Sequence, residues 1–455
     1  MDQLKKSAKL LSLWQVVIIG VAYLTPMTVF DTFGIVSERT NGRVPLAYLF
    51  TLVAILLTAM SYSRLAATFP ESGSAFTYTG KICGKESGFI VGWATLQDYM
   101  LLPMINALLS GAYLSALFPD IPTWILITVY VAIVTFINSR NVSLLANMNF
   151  IFVGVPLILT IYFIYLVIHI KLGAGWEAVL TAKPLFNGDN SIGPLVGGAA
   201  VLCFSFLGFD AVSTLASETK DSKTTIPRAI MITVLAGGII FFISAWFIQL
   251  YYPTNELLKN YKDSSSPEIA FYVGGALFQK FFMIAMLVNT FASALASHAS
   301  AARLLHIMGI ARFIPGQIFR YVHPKYHSPY FCVLLVGFLS LAAIFCTLDT
   351  AVSFVNFGAM IAFSAVNICI LVMFAYYKKQ FKTVKGFTLN IILPVLGLTT
   401  VAYMWLNLQM DSFIFGLSWT FLGLLYLLYL KKYQKALFVK EQQSFLQKEE
   451  DALTL

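Results

Sequence analysis

Three aspartates lie within long apolar stretches of this chain, where a carboxylate is rare and costly. Of its 21 acidic residues, only Asp31, Asp98 and Asp210 fall in runs long enough to cross a membrane, and no Lys or Arg stands at a comparable depth. A charge at the bilayer centre costs at least about 2.5 to 3.5 kcal/mol, so such residues often mark the path of an ion or a substrate. The alternative interpretation is a protonated carboxylate, or one that reaches water near a helix end.

The neighbours of Asp98 suit a positively charged amine. On a helix Tyr99 and Asn106 share a face, being seven positions apart, and Asp98 lies about 100° round from Tyr99. A carboxylate beside an aromatic face and an amide can hold an ammonium group through ion pairing and cation–π attraction. The competing interpretation is a tyrosine packed between helices next to a hydrogen-bonded aspartate.

Two of the apolar stretches contain helix-breaking residues near their centres. In "YLTPMTVFD", which begins at residue 23, Pro26 lacks the N–H that would bond one turn back, and Thr25 and Thr28 can bond the freed carbonyls. This stretch predicts an interrupted first membrane helix, with Asp31 in its outer half as part of an outer gate or vestibule.

The second interruption is predicted in "CFSFLGFDAVS", where Ser205 and Gly208 surround the break and Asp210 follows it. Phe204 and Phe209 are either core residues or the apolar walls of a site for a short methylene chain. The two interruptions fall in the first and sixth membrane helices. That spacing predicts an inverted five-plus-five repeat whose discontinuous helices meet at a midplane binding site.

Other polar residues leave alternatives open. Ser293 and Ser297, one turn apart in the eighth span, could hold a sodium ion with carbonyls freed in the first span, or could only let helices approach closely. The five cysteines are scattered without metal-ligand spacing. We therefore predict no metal site and expect the cysteines to be small core residues.

The chain that positions these residues has the composition of a membrane protein. It has 455 residues, of which 58% are hydrophobic and 11% charged, whereas a soluble domain is roughly a quarter charged. Apolar runs of about 20 residues recur along it. We predict an all-α membrane protein with twelve transmembrane helices, at 13 to 36, 44 to 66, 88 to 117, 122 to 138, 149 to 170, 193 to 216, 229 to 251, 275 to 302, 330 to 348, 351 to 377, 388 to 409 and 413 to 433.

The basic residues predict an orientation. Most of the 30 Lys and Arg residues fall at the two termini and in alternate connecting segments on one side of the membrane. The positive-inside rule then places both termini in the cytoplasm. The net charge of +9 mainly reflects this asymmetry, so it gives no reason to propose nucleic-acid binding.

Several motifs, taken in order, identify a family. They are the break in the first span, "FPESGSAFTYTGK" (69 to 81), "FSFLGFDAVSTLASETKDSKTTIPRAI" (204 to 230) and "ASAARLLHIMGIARFIP" (299 to 315). The chain resembles the amino acid, polyamine and organocation (APC) transporter superfamily over essentially all twelve spans. Within it, the likeness is greatest to bacterial putrescine importers, in "YLTPMTVFDTFGIVS", "DYMLLPMIN", "CFSFLGFDAVSTL" and "ASHASAARLL".

The resemblance implies a LeuT-like fold, a location in the bacterial inner membrane and uptake of a diamine driven by the proton gradient. It implies a substrate chamber between spans one, three, six, eight and ten. The domains implied are a cytoplasmic N-terminus (1–12), a transporter domain (13–433) with repeats 13–170 and 193–377 and final helices 388–433, and a cytoplasmic tail (434–455). The predicted substrate site comprises Thr25, Asp98, Tyr99, Asn106, Phe204, Ser205, Phe209 and Asp210.

Two departures from the family pattern refine this expectation. Amino-acid-transporting relatives bind the substrate carboxylate on a glycine-rich turn, but here no glycine lies between Gly20 and Gly34, and Pro26 removes one donor. The substrate is therefore expected to be a plain amine. Some proton-coupled relatives keep a buried lysine in span five, which this chain lacks, so Asp210, with Asp98, becomes the expected proton carrier.

The resulting hypothesis is a secondary active importer of putrescine, coupled to protons and working by alternating access in the lipid bilayer, without a cofactor. The alternatives are a permease or exchanger for cationic or other amino acids, which could be sodium-coupled, and an amine sensor or channel. An enzyme is disfavoured because the sequence has no P-loop, GxSxG or HExxH motif.

Overall fold

Helices account for nearly all of the regular structure. The computed structural model describes residues 11–140, 143–186, 191–252, 265–326 and 328–433, without the side chains of 143–149, 349 and 353. Over these ranges the only strand-like pairing is an isolated parallel bridge between Leu11 and Thr219. Residues 1–10 and the tail from 434 to 455, both predicted to be cytoplasmic, lie outside the described residues.

Seventeen α-helices occur in the described ranges. They are α1 (Leu13–Tyr23), α2 (Thr28–Arg39), α3 (Val44–Thr68), α4 (Ser74–Ile82), α5 (Lys85–Leu117), α6 (Thr123–Arg140), α7 (Ser143–Leu172), α8 (Trp176–Val179), α9 (Ile192–Leu202), α10 (Ser222–Tyr251), α11 (Ser266–Ile310), α12 (Gly316–Phe319), α13 (Tyr330–Ser340), α14 (Leu348–Ile370), α15 (Val384–Phe387), α16 (Leu393–Trp405) and α17 (Met410–Tyr433). Segments of 3₁₀-helix follow or join them at Cys203–Phe206, Ala211–Glu218 and Leu341–Phe345, and segments of π-helix at Leu371–Tyr377 and Thr388–Ile392.

The described helices include enough apolar length for a polytopic membrane protein. Ten stretches are long and apolar enough to cross a bilayer, and the bent pair α1 and α2 makes an eleventh. Tyr330–Phe345 is a shorter apolar segment. The chain is therefore an all-helical membrane protein with ten or eleven candidate spans. This is the class of protein that its hydropathy predicted.

Several helices extend beyond the predicted spans. The tenth helix, α10, begins at Ser222 rather than near residue 229, and α11 begins at Ser266 rather than near 275, with a non-helical Gly275 (φ 75°) inside it. The motif from residue 69 contains a short helix, α4. Hydropathy detects only the part of a helix that lies within the hydrocarbon core of the membrane, and it misses polar turns beyond that core. The predicted spans are therefore shorter than the helices.

The first interruption lies between α1 and α2. The α1 helix ends at Tyr23, Thr25 adopts a left-handed conformation (φ 55°), and α2 begins at Thr28 with its axis turned by 44°. The freed carbonyl of Tyr23 accepts hydrogen bonds from Thr25 Oγ1 (3.2 Å) and from Ser293 Oγ (3.0 Å). Side chains thus satisfy backbone that water cannot reach.

The second interruption follows α9. The helix ends at Leu202, tightens to a 3₁₀ turn, and then opens at Gly208, whose φ of 104° is in the left-handed region that glycine tolerates. Asp210 directly precedes the next 3₁₀ segment, Ala211–Glu218. The sixth span therefore loses its helical backbone conformation immediately before its carboxylate.

Helix α5 is fastened to α17 by a pair of tryptophans. Trp93 Nε1 donates to the carbonyl of Trp419 (2.9 Å), and Trp419 Nε1 donates to the carbonyl of Trp93 (2.8 Å). Their rings stack with centroids 4.9 Å apart. A Lys431–Glu86 ion pair of 2.6 Å joins the same two helices farther along. These contacts hold α5 as a fixed support beside the interrupted segments.

The membrane face at which α1 begins, called here the N-terminal face, is closed by several contacts. Leu11 N donates to Glu218 O (2.9 Å), and Lys220 N donates to Leu11 O (3.1 Å). Arg303, near the end of α11, forms a 3.0 Å ion pair with Glu218. The chain before α1 is thus joined to the end of the second interrupted span.

Candidate functional site

One face of α5 carries a polar side chain every seven residues. Tyr99, Asn106 and Tyr113 are two turns apart and therefore lie in one row. Tyr99 OH donates to Asp210 Oδ2 (2.7 Å), and Tyr113 OH donates to Asp31 Oδ1 (2.5 Å). The row links one supporting helix to both interrupted segments.

Asn106, the middle member of the row, contacts α11. Its Nδ2 donates to Ser293 Oγ (3.1 Å) and to the carbonyl of Leu102 (3.1 Å). Ser293 Oγ in turn donates to the carbonyl of Tyr23. Asn106 is therefore connected through Ser293 to the first interruption.

Asp98 and Asp210 form a buried acid pair. They are 2% and 1% exposed, and Asp210 lies near enough for its charge to act on Asp98. Asp210 Oδ2 accepts from Tyr99 and from Ser74 Oγ (3.3 Å), whereas Oδ1 has no hydrogen-bond partner among the described residues. No hydrogen bond or Lys/Arg ion pair from the described part of the chain reaches Asp98. The pair thus has no cationic side chain among the described residues that could compensate a negative charge.

Tyr23, the last residue of α1, connects the acid pair to the neighbouring cavity. Its hydroxyl has no hydrogen-bond partner in the described ranges, and the charges of Asp98 and Asp210 both act on it. Its ring lies on the backbone of Gly208, since a Cβ placed there would be 1.8 Å from Tyr23 Cδ1. Tyr23 therefore packs the first interruption directly against the second.

A small cavity lies beside Tyr23. Its walls come from α1, α2, the loop between them, α5, α11 and the second interrupted segment. The lining residues are Tyr23, Leu24, Thr25, Thr28, Leu102, Ile105, Asn106, Leu109, Phe204, Leu207 and Ser293. Its surface is mostly apolar, with polar groups near the interruptions, which suits a ligand with a short hydrocarbon chain.

The predicted site residues divide into groups. Thr25, Asn106 and Phe204 line this cavity, whereas the acid pair and Tyr99 lie outside its wall.

Two predicted residues serve as packing or hydrogen-bond partners around the second interruption. Ser205 Oγ shares a 3.1 Å hydrogen bond with Tyr48 OH. Phe209 packs against Tyr62 and Phe363, with ring centroids 5.5 and 5.3 Å apart. These two side chains surround the interruption without lining the cavity.

Asp31 lies well away from the acid pair. Tyr113, its hydroxyl donor, is 14 residues along α5 from Tyr99, which is about 21 Å at 1.5 Å per residue. Asp31 Oδ1 also accepts from Ser266 Oγ (2.5 Å) at the start of α11. The carboxylate thus joins α2, α5 and α11 on the side of the cavity away from the N-terminal face.

The two serines predicted for a sodium site differ in their contacts. Ser293 Oγ donates to the freed carbonyl of Tyr23. These two oxygens are therefore neighbours, as the predicted sodium site requires. Ser297 Oγ donates to the carbonyls of Ser293 (2.7 Å) and Ala294 (3.3 Å) in its own helix. The sodium site stays a prediction.

Two neighbours of the acid pair were missed in the sequence. Tyr23 lies near both carboxyls and Ser74 donates to Asp210, although Tyr23 belongs to an ordinary-looking helix end and Ser74 to a segment between spans. A tyrosine just before a helix-breaking stretch was the available signal for Tyr23. Nothing in the local sequence marked Ser74, because its contact with Asp210 joins positions 136 residues apart.

The amide groups at the first interruption are mostly occupied. Thr25 N donates to Ala22 O (3.2 Å) and Thr28 N donates to Thr25 O (2.8 Å), while Pro26 has no N–H. A substrate carboxylate needs several free N–H groups at a helix end. This interruption is consequently a poor carboxylate site.

The structure is that of a helical membrane protein with two interrupted spans around a buried polar site. Comparison with known proteins gives a consistent result. The sequence model of the amino acid permease family matches residues 15–436, and the chain belongs to that family of the APC superfamily. The resemblance inferred from the motifs is thereby confirmed. The family and the relatives below are transporters.

The relatives differ in what they carry. The chain is 43% identical to the low-affinity putrescine importer PlaP of Escherichia coli K12, over 92% of this chain and 93% of the importer. It is 24% identical to the branched-chain amino acid permease BcaP of Bacillus subtilis, over 93% and 94% of the two chains. It is 24% identical to mouse cationic amino acid transporter 4, over 80% of this chain and 59% of the mouse protein.

Replacing Gly208 by alanine should damage the contact between the two interruptions. The added Cβ would overlap the Tyr23 ring, and φ of 104° is unfavourable for alanine. We expect Gly208→Ala to lower the melting temperature of the purified protein by about 2 °C or more. Gly193→Ala, in the same span, is the control because a Cβ there meets nothing within 4 Å. Equal melting temperatures for the two variants would contradict the close contact.

Proposed function

We propose that this protein is a proton-coupled importer of putrescine that works by alternating access. The observation that carries the proposal is the buried acid pair, Asp98 and Asp210, without a cationic partner among the described residues. The 43% identity to a putrescine importer supports the same substrate.

A diamine fits the charge of the acid pair. Alkyl ammonium groups titrate near pH 10, so putrescine carries two positive charges near neutral pH. Two carboxylates buried without compensation are unstable in a low-dielectric site, and a dication or protons can neutralise them. The largely apolar residues around the small cavity beside Tyr23 would contact the four-carbon chain after the cavity widens to admit it.

The two carboxylates have different surroundings and therefore different proposed roles. Asp98, which accepts no hydrogen bond from the described residues, would bind an ammonium group directly. Asp210 is held by Tyr99 and Ser74 at the second interruption, where a change of backbone direction can expose it to either side. We assign it the coupling proton.

The amine reading is favoured over an amino acid. Occupied or missing N–H groups at the first interruption leave little to bind a substrate carboxylate. A carboxylate brought near Asp98 and Asp210 would also be repelled. Because some relatives are amino acid permeases, an amino acid substrate stays the alternative, and the competition experiment below tests it.

The proposed architecture is twelve membrane helices in a LeuT-like five-plus-five inverted repeat. The repeats would be 13–170 and 193–377, followed by two helices in 388–433. The interruptions in the first and sixth spans support this division, and Tyr330–Phe345 would supply the span beyond the eleven long ones. The N-terminal face would be cytoplasmic in a bacterial inner membrane, in agreement with the distribution of Lys and Arg.

Asp31 is proposed as part of an outer gate. Its two hydroxyl partners, Tyr113 and Ser266, come from α5 and α11. Opening a path from outside to the cavity would require α2 to separate from these helices. A sodium ion at Ser293 and Ser297 remains the alternative coupling site.

Neutralising either member of the acid pair should impair transport, in different ways. A buried hydrogen bond to a charged group contributes up to about 3 kcal/mol, so Asp98→Asn should lower labelled-putrescine uptake by about a hundredfold. Asp210→Asn should remove accumulation driven by a proton gradient but retain exchange of labelled for unlabelled putrescine. Both activities are measured in proteoliposomes.

The matched control for these variants is Asp120→Asn, since Asp120 is exposed in a loop. It should transport like the unmodified protein. All variants must be present in the membrane in equal amounts. Normal uptake by Asp98→Asn and Asp210→Asn would overturn the assigned roles.

Substrate class is tested by competition for uptake. Unlabelled putrescine should inhibit uptake of the labelled compound far more strongly than lysine, because lysine brings a carboxylate that the first interruption cannot bind. A protonophore should abolish accumulation, and removal of sodium should not. Equal inhibition by lysine would favour an amino acid permease, and sodium dependence would redirect coupling to Ser293 and Ser297.

The outer gate should loosen when Tyr113 loses its hydroxyl. Tyr113→Phe removes one hydrogen bond to Asp31, so the outer side should open about two- to tenfold more often. The measurement is the rate at which a membrane-impermeant maleimide, added outside, labels a cysteine introduced at Thr25. Tyr376→Phe, an exposed tyrosine elsewhere, is the control. An unchanged rate would argue against a gate at Asp31.

A further inference from the structure

Two of the five cysteines, far apart in sequence, meet at the N-terminal face. Cys83 follows α4 and its backbone N–H donates to Thr79 O, so the two residues are one turn apart on the same side of the helix. Cys369, near the end of α14, has its Sγ 3.7 Å from Thr79 Oγ1. Cys83 and Cys369 therefore both lie against Thr79, on the same side of α4. The expectation that all the cysteines are core residues is wrong for Cys83, which is exposed.

The two thiols differ in access. Cys83 lies on the surface between Lys81 and Lys85, whereas Cys369 is completely buried beneath it. An exposed thiol next to a buried second thiol is the arrangement found in redox-sensing pairs, in which the first thiol reacts and the second resolves the product. We propose that Cys83 and Cys369 form a reversible disulfide when a peroxide reaches the N-terminal face, and that this cross-link arrests transport.

The reaction balances with hydrogen peroxide as the oxidant. The Cys83 thiolate attacks one peroxide oxygen, the O–O bond breaks, and the departing hydroxide takes up a proton to become water. Cys369 sulfur then attacks the sulfenic acid on Cys83, the S–O bond breaks, and a second water leaves with the Cys369 proton. Both sulfurs are oxidised and one peroxide is reduced to two waters. A cytosolic thiol reductant reverses the bond by exchange.

The environment of Cys83 supports its role as the attacking thiol. The neighbouring Cys369 thiol lowers the pKa of Cys83 from 9.0 to about 7, against the opposing effect of partial burial. The thiolate is the nucleophile, so reaction should accelerate as the pH rises through about 7.

The cross-link would fasten α14 at a place that matters to the acid pair. Phe363 of α14 packs on Phe209 immediately before Asp210. Gly358 of the same helix lies so close to α5 that a Cβ would be 2.5 Å from Ala94 O and 3.3 Å from Asp98 Cβ. A bond between Cys369 and Cys83 would therefore fix α14, the helix that packs beside both carboxylates, to the corner between α4 and α5.

The test is oxidation of the purified full-length protein with hydrogen peroxide. We expect the intact mass to fall by two hydrogen atoms, a non-reduced digest to contain the Cys83 peptide joined to the Cys369 peptide, and the rate to rise through pH about 7. Cys83→Ser and Cys369→Ser should each prevent the cross-link. Cys346→Ser should not, although Cys346 is the other thiol that is not fully buried. Absence of the joined peptide in the unmodified protein would overturn the disulfide.

The effect on transport is measured separately in proteoliposomes. This readout rests on the proposed function. Labelled-putrescine uptake should fall in proportion to the cross-linked fraction and return after dithiothreitol. Cys369→Ser should keep its uptake under peroxide. A complete cross-link with unchanged uptake would overturn the arrest. Failure of putrescine uptake before any oxidation would instead count against the proposed function and leave the mass measurement to decide the disulfide.

Discussion

Two carboxyl groups buried in a membrane without a cationic side chain among the described residues are the constraint on which the rest of this structure depends. Asp98 and Asp210 are almost fully buried, and the hydroxyls of Tyr99 and Ser74 donate to Asp210. Such a pair is stable only when protons or a cation neutralise it. Both helix interruptions, the cavity and the Tyr23 ring lie near this pair.

The second constraint is that polar groups must be satisfied while the backbone is broken. Thr25 and Ser293 cover the freed carbonyl of Tyr23, and Gly208 allows the turn that brings Asp210 to the site. The α5 helix, fixed to α17 through Trp93 and Trp419, supplies the row of polar side chains that contacts both interruptions. A movement of either interruption must therefore break contacts with the same supporting helix.

Much of the site could be predicted because its signals are local. Asp31, Asp98 and Asp210 stand out in apolar runs, Pro26 breaks a helix from its own covalent structure, and the seven-residue spacing of Tyr99 and Asn106 follows from helix geometry. The lengths of α10 and α11 were underestimated because hydropathy reports only the hydrocarbon depth of a helix. Ser74 and the thiol pair were missed because their partners are remote in sequence.

The sequence by itself determined the membrane class, the two interruptions, the family and the residues that carry charge, since composition, periodicity and motifs are properties of short stretches. Only the tertiary structure decided that Tyr23 packs on Gly208, that Asp31 binds Tyr113 and Ser266, and that Cys83 and Cys369 both lie against Thr79. These facts depend on how separate helices pack, and packing is set by the shapes of all the contacting side chains together.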